Sequence, residues 1–222
     1  MYNFNFAPVL ASWPDLLAGL ETTLELSASA MAIGLVVSVI LAAAKTSGPK
    51  PLRFVVDVYV EIIRNTPFLV QIFFIYFGLP SLGLRLTPTS AALLALVVNF
   101  SAYATEIIRA GIESIHLGQI EAGRALGLSG VQIFVYVILK PALRNVYPAM
   151  TSQFIYLMLT SSVVSAISAG DLAAAGNDIQ SRTFASFEVY IVVTLIYLIM
   201  SVGFSAIFSA IERAVFNYPL GR

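Results

Sequence analysis

Four ionisable residues stand inside otherwise apolar stretches, in two pairs with one spacing: Glu61 with Arg64, and Glu106 with Arg109. A charge at the centre of a spanning helix costs about 2.5–3.5 kcal/mol on insertion scales, so such groups face a bundle interior or a wet cavity. The three-residue spacing lets each pair neutralise itself on one helix face. The alternative is that they line a path for a polar solute. Gln153, Thr160, Ser161 and Ser162 crowd a later apolar stretch with amides and hydroxyls, from which lipid contact gains nothing. A helix lining a water-filled path can use them to bind a zwitterion, although small hydroxyls also serve plain helix packing. Thr66 stands beside Pro67, whose ring frees a carbonyl about four residues back. Such a break either packs passively or acts as a gate.

Covalent and metal chemistry find little support. The chain has no cysteine and one histidine, His116, which excludes thiolate chemistry and a multi-histidine metal site. Lys45, Lys50 and Lys140 fall between apolar stretches, so a Ser/Lys nucleophile is unsupported as well. There is no GxxxxGK[ST] phosphate loop.

These residues need elements to hold them, and composition says where those elements sit. Of 222 residues 59% are apolar and 11% charged, with mean hydropathy +0.89. That is too little polar surface to wrap a soluble globule, so the chain belongs in a bilayer. Twelve basic against 12 acidic residues exclude the basic footprint of a nucleic-acid binder. Crossing ~30 Å of hydrocarbon takes about 20 apolar residues, and five stretches supply them. They run roughly over 20–44, 55–79, 88–110, 146–168 and 189–211. The reading is an all-α membrane protein forming one domain over 1–222.

Positive charge is retained on the cytoplasmic side. Lys45, Lys50, Arg53, Arg109, Arg124, Lys140, Arg144, Arg213 and Arg222 fall on one side, against Arg85 and Arg182 on the other. The N-terminus is thereby expected outside and the C-terminus in the cytoplasm. The longest connection, about 111–145, faces the cytoplasm and is too long to be structureless. Within it Gly118–Leu126 suits a short helix, with Glu121 in its first turn and Gly127 as a left-handed C′ residue. Pro141 is expected to interrupt the helical run before the fourth span. Small residues recur at Ala30, Gly34, Ser38 and Ala42 and at Ser201, Ser205 and Ser209, as contacts within the chain or across a dimer. On the outer side Asp171, Asp178, Arg182 and Glu188 read as solvated charges that could meet a soluble partner.

Glu121-Ala122-Gly123, Gly127 after three more residues, and Ile138-Leu139-Lys140-Pro141 closely resemble the EAA loop of the permease subunits of bacterial ABC importers. ETTLELS, Arg64-Asn65-Thr66-Pro67 with FLVQIFFIYFGLP, and AYATEIIRAGIESI are similar to segments of the branch that imports polar amino acids and opines. Three departures stand out. Gly123 replaces the usual Ala, Lys140 separates Leu139 from Pro141, and Met158-Leu159-Thr160-Ser161-Ser162 stands where the family carries a run resembling Lys-Asp-Thr-Ser-Leu.

The resemblance implies a type I importer fold with five transmembrane helices in the bacterial cytoplasmic (inner) membrane. It implies that Glu121, Ala122, Gly123, Arg124, Leu126 and Gly127 form a coupling helix seated in an ABC ATPase dimer. That ATPase would bind ATP and Mg, and this chain would hold no cofactor. A second permease subunit, an extracytoplasmic amino-acid-binding protein and membrane lipid complete the expected partners. Glu61, Arg64, Thr66, Glu106, Gln153, Thr160, Ser161 and Ser162 are the candidates for the substrate pathway. The rival reading is a self-sufficient ion-coupled secondary transporter or channel, with the buried charges as its relay.

Overall fold

The computed structural model describes residues 4–216, so Arg222 of the charge tally lies outside the described residues. A single helical turn, α1 (Ala7–Ala11), leads into α2 (Trp13–Ser47). There follow α3 (Lys50–Arg64), the helical stretch α4 (Phe68–Leu82) and α5 (Pro88–Glu113). The short α6 (Leu117–Ala125) precedes the long α7 (Gly130–Ile167), and α8 (Leu172–Thr183) precedes α9 (Ser186–Val215). Four of these, α2, α5, α7 and α9, are long and apolar enough to cross a membrane, and α3 with α4 makes a fifth crossing if the bent pair counts as one. No strand occurs among the described residues.

The first, third and fifth expected spans are single helices that run past the expected limits. The second is not one rod: α3 and α4 meet at 107° across Asn65, Thr66 and Pro67. With 15 residues α3 is about 22 Å long, short of the hydrocarbon thickness. Pro67 disfavours the helical region for Thr66 and cannot donate, so the helix stops there.

The long connection between the third and fourth expected spans is mostly helix, since α7 already begins at Gly130 behind a reciprocal cap of Ser129 and Gln132. Pro141 does not interrupt it. Residues Ile133–Leu139 take wide π-helical turns, and i→i+5 pairing skips the donor that the proline lacks.

The bundle closes because helices approach through small residues. A Cβ on Gly34 of α2 would lie 2.6 Å from the Phe100 ring of α5, and one on Gly111 would lie 2.0 Å from Val146 of α7. Ala30, Gly34, Ser38 and Ala42 are all buried, so that stripe packs within the chain. Ser201, Ser205 and Ser209 instead line an open groove on α9 with Ile155 and Arg213.

Two of the charges expected at the outer surface prove buried. Asp171 is fully enclosed, caps α8 by accepting from the Ala173 and Ala174 amides, and receives the Tyr197 hydroxyl at 3.4 Å. Burial raises its carboxyl above the ordinary value of 3.8, against the pull of those amides. Glu188 is 2% exposed and accepts from the Asn5 amide at 2.8 Å. Apolar residues around each carboxylate give burial, and the free amides of a helix start satisfy Asp171. Arg182 and Asp178 stay exposed, Arg182 bridging Asp15 and Asp178 at 2.8 Å each.

Candidate functional site: a charged inner groove and an exposed short helix

The two carboxylate–arginine pairs behave differently. Arg109 of α5 donates to Glu106 through Nη2 at 2.9 Å and through Nε at 3.1 Å, and also bonds Glu113. Lys45, in the last turn of α2 and not in a loop as expected, reaches Glu106 at 2.5 Å and Asp57 of α3 at 2.8 Å. Five charges thus tie three helices together near one end of the bundle. The Lys45 and Glu106 side chains are 18% and 17% exposed, so the shared carboxylate binds more strongly than a surface pair would.

Glu61 and Arg64 do not meet. Glu61 accepts from the Asn65 side chain at 2.8 Å, and Arg64 lies over the Tyr103 ring of α5, 5.4 Å from its centre. Arg64, Tyr103, Glu106, Arg109 and Gln153 line one groove of about 700 Å³ between α3, α5 and α7. Three expected pathway residues, Arg64, Glu106 and Gln153, therefore line one groove, and Tyr103 and Arg109 join them. The visible signal for Tyr103 was its place on the Glu106 face of α5, one turn earlier.

Thr66, Thr160, Ser161 and Ser162 lie elsewhere. The Thr66 hydroxyl donates to the Ile62 carbonyl at 2.8 Å, which finishes α3. Ser161 is fully buried, and its hydroxyl and that of Ser162 donate back to the Met158 and Leu159 carbonyls at 2.6 and 2.8 Å. These bonds tighten the 3₁₀ end of α7, Ser161–Ile167, so both hydroxyls are engaged with their own helix, and that of Ser161 also meets the Tyr197 hydroxyl of α9.

The break between α3 and α4 has a repair that the sequence reading missed. Pro67 leaves the Ile63 carbonyl without its i+4 donor, and the Gln71 side-chain amide donates to that oxygen at 2.7 Å. The same nitrogen reaches the Thr66 carbonyl at 3.0 Å and hydroxyl at 2.9 Å. The Gln71 oxygen in turn accepts from Asn99 of α5 at 3.0 Å, in a buried pair. One glutamine therefore heals the broken helix and bolts it to the neighbouring span. Gln71→Leu removes both functions and leaves two buried polar groups unpaired, at a cost of about 1–3 kcal/mol each. Thermal unfolding in detergent should show a loss of several degrees; an unchanged midpoint would mean that water repairs the break.

At the other extreme of exposure stands α6. Its expected limits shift by one residue, and Glu121 falls past the first turn, out of reach of the macrodipole benefit expected for it. Gly127 is left-handed as expected, with φ +76°. The Gly127 amide bonds the Arg124 carbonyl at 2.9 Å and the Leu128 amide bonds the Gly123 carbonyl at 3.1 Å, a complete Schellman ending. Gly123 is the buried member: a Cβ there would meet Ile133 at 3.2 Å and Val137 at 3.5 Å, on the π-helical turns of α7. This close packing accounts for glycine where the family usually has alanine. Glu121, Ala122, Arg124 and Leu126 face outward, with Leu126 80% exposed. No ion pair joins Glu121 to Arg124 among the described residues, so both polar groups remain available.

Comparison with known proteins gives a consistent picture. Residues 34–217 match the family described as "Binding-protein-dependent transport system inner membrane component". The glutamine transport system permease protein of Escherichia coli is 36% identical over 212 residues, covering 95% of this chain and 97% of the relative. The nopaline transport system permease protein of Agrobacterium fabrum is 38% identical over 203 residues, 87% of this chain and 84% of the relative. A crystal structure of an amino acid ABC transporter with histidines superposes with a TM-score of 0.90 at 38% identity, covering 96% of this chain and all of that one.

Proposed function

This chain belongs to the family of binding-protein-dependent transport system inner membrane components and is a permease subunit of an ABC importer, a premise from which we propose that it carries a polar amino acid or opine inward and takes its energy through α6. The observation that supports this most is α6 itself. A rigid helix with a closed Schellman end offers unpaired Glu121 and Arg124 and bare Leu126, while Gly123 anchors it on α7. Such a helix seats in a cleft of a cytoplasmic ATPase dimer, which binds ATP and Mg in place of this chain. Relatives named for glutamine and nopaline support the cargo class.

The chain acts as one membrane domain, with its N-terminus outside and its C-terminus in the cytoplasm of a bacterial inner membrane, as the basic residues favour. Five crossings make too thin a bundle to enclose a polar path, so a second permease subunit pairs with this one. A binding protein delivers the cargo from outside. When the ATPase dimer closes on ATP, it draws the two α6 helices together and the bundles rock as rigid bodies. The charge network holding α2, α3 and α5 makes that rocking a unit movement.

Reconstitution with a companion ATPase, the second permease and a loaded binding protein tests the reading. Uptake into proteoliposomes should require ATP. Transport by this chain alone on an ion gradient would contradict the proposal and favour an ion-coupled carrier.

A further inference from the structure

The groove on α5 contains hydrogen-bond donors with nothing to donate to. Of its charged groups, Glu106 is engaged by Lys45 and Arg109, and Arg109 also holds Glu113. Arg64 meets no carboxylate among the described residues: Glu61, one turn before it, is hydrogen-bonded to Asn65 instead. Its guanidinium lies over the Tyr103 ring, and the Tyr103 hydroxyl donates to the Arg64 carbonyl at 3.4 Å, which holds backbone and ring together. Gln153, on the α7 wall, has an enclosed amide nitrogen with no acceptor. A buried donor such as the Gln153 amide rarely stays unpaired, and Arg64, an exposed residue of this chain, keeps its guanidinium open to the groove.

Resting on the transport reading above, we propose that this groove is a subsite for the α-carboxylate of the passing amino acid, received by Arg64 against Tyr103, with Gln153 as a further donor. A carboxylate supplies two acceptor oxygens and the missing negative charge. The planar fork of arginine matches it in a way that a lysine ammonium does not. The aromatic face behind the guanidinium limits its motion, so little ordering is left to be done when the cargo arrives. The cargo's remaining end stays unconstrained by this subsite, which suits a path that must release what it binds.

The test uses the purified assembly of this chain, its permease partner and the ATPase, without the binding protein. Glutamine, or whichever polar amino acid the complete system imports, serves as the probe, together with its α-carboxamide. The wild-type assembly should bind the acid about tenfold or more tightly than the amide, as loss of a charge-assisted bond implies. Arg64→Gln should bring the two affinities together, and Arg64→Lys should leave an intermediate ratio. Comparing two ligands on the same protein keeps the result independent of how well a variant folds. Equal binding of acid and amide by the wild type, or an undiminished preference in Arg64→Gln, overturns the subsite while uptake still stands. Absence of ATP-driven import of every polar amino acid and opine offered would overturn the transport reading instead.

Discussion

Gly127→Val should lower ATP-driven uptake about tenfold or more while the chain still inserts into the membrane, because a residue with a Cβ at φ +76° pays about 1–2 kcal/mol in the left-handed region and a β-branched one more. A Cβ there meets nothing within 4 Å, so the cost is conformational and local. Relief comes from unwinding the Schellman ending, which frees the Gly123 and Arg124 carbonyls and tilts Leu126 away from its presented position. Gly127→Asn, which tolerates that backbone region, should retain most of the activity. Glu121→Lys tests the same surface by charge alone, because Glu121 has no partner to lose among the described residues. Its expected outcome is a parallel fall in uptake and in the ATP hydrolysis stimulated by the loaded binding protein. Full uptake in both Gly127→Val and Glu121→Lys would remove the coupling role from α6.

The second large effect concerns Glu106. This carboxylate is shared by Lys45 at 2.5 Å and Arg109 at 2.9 Å, with side chains between 17% and 28% exposed. Glu106→Ala strands two cations whose other partners, Asp57 and Glu113, are 49% and 57% exposed and hold them weakly. Breaking a buried pair costs about 3–5 kcal/mol, and solvent access reduces that here to about 2 kcal/mol. Thermal unfolding should show it, and uptake should fall with it because α2, α3 and α5 no longer move together. Reversing both Glu106 and Arg109 should fail to restore stability, since a lysine at position 106 would oppose Lys45. Exchanging the charges of Lys45 and Glu106 should recover part of the loss, less whatever Arg109 then suffers. A double-mutant cycle separates these contributions, and full additivity would mean that no network exists.

That contrast also marks how far the sequence could be read. Long apolar runs, which lengthen or shorten without changing identity, were legible, and so was a glycine whose position past a short helix demands positive φ. The i, i+3 spacing of Glu106 and Arg109 was visible, but it could not disclose Lys45 and Asp57, which arrive from other helices. The same spacing misled at Glu61 and Arg64, where Asn65 and Tyr103 offered nearer partners. Pro67 announced an unpaired carbonyl, whereas its repair by Gln71 and Asn99 depends on a 107° bend that no local rule supplies. The serines of α7 looked like a polar lining and turned out to bond their own backbone. Asp171 and Glu188 looked solvated because charge alone carries no information on what packs around it.

Since the chain has no cysteine, a single one introduced at Ala122 can be labelled without background. A membrane-impermeant maleimide should modify Ala122→Cys in inside-out vesicles stripped of the ATPase, leave it untouched from the opposite face, and be blocked once the ATPase is restored. Labelling from the external face, or labelling undiminished by the ATPase, would contradict the claim that α6 is where the motor grips this subunit.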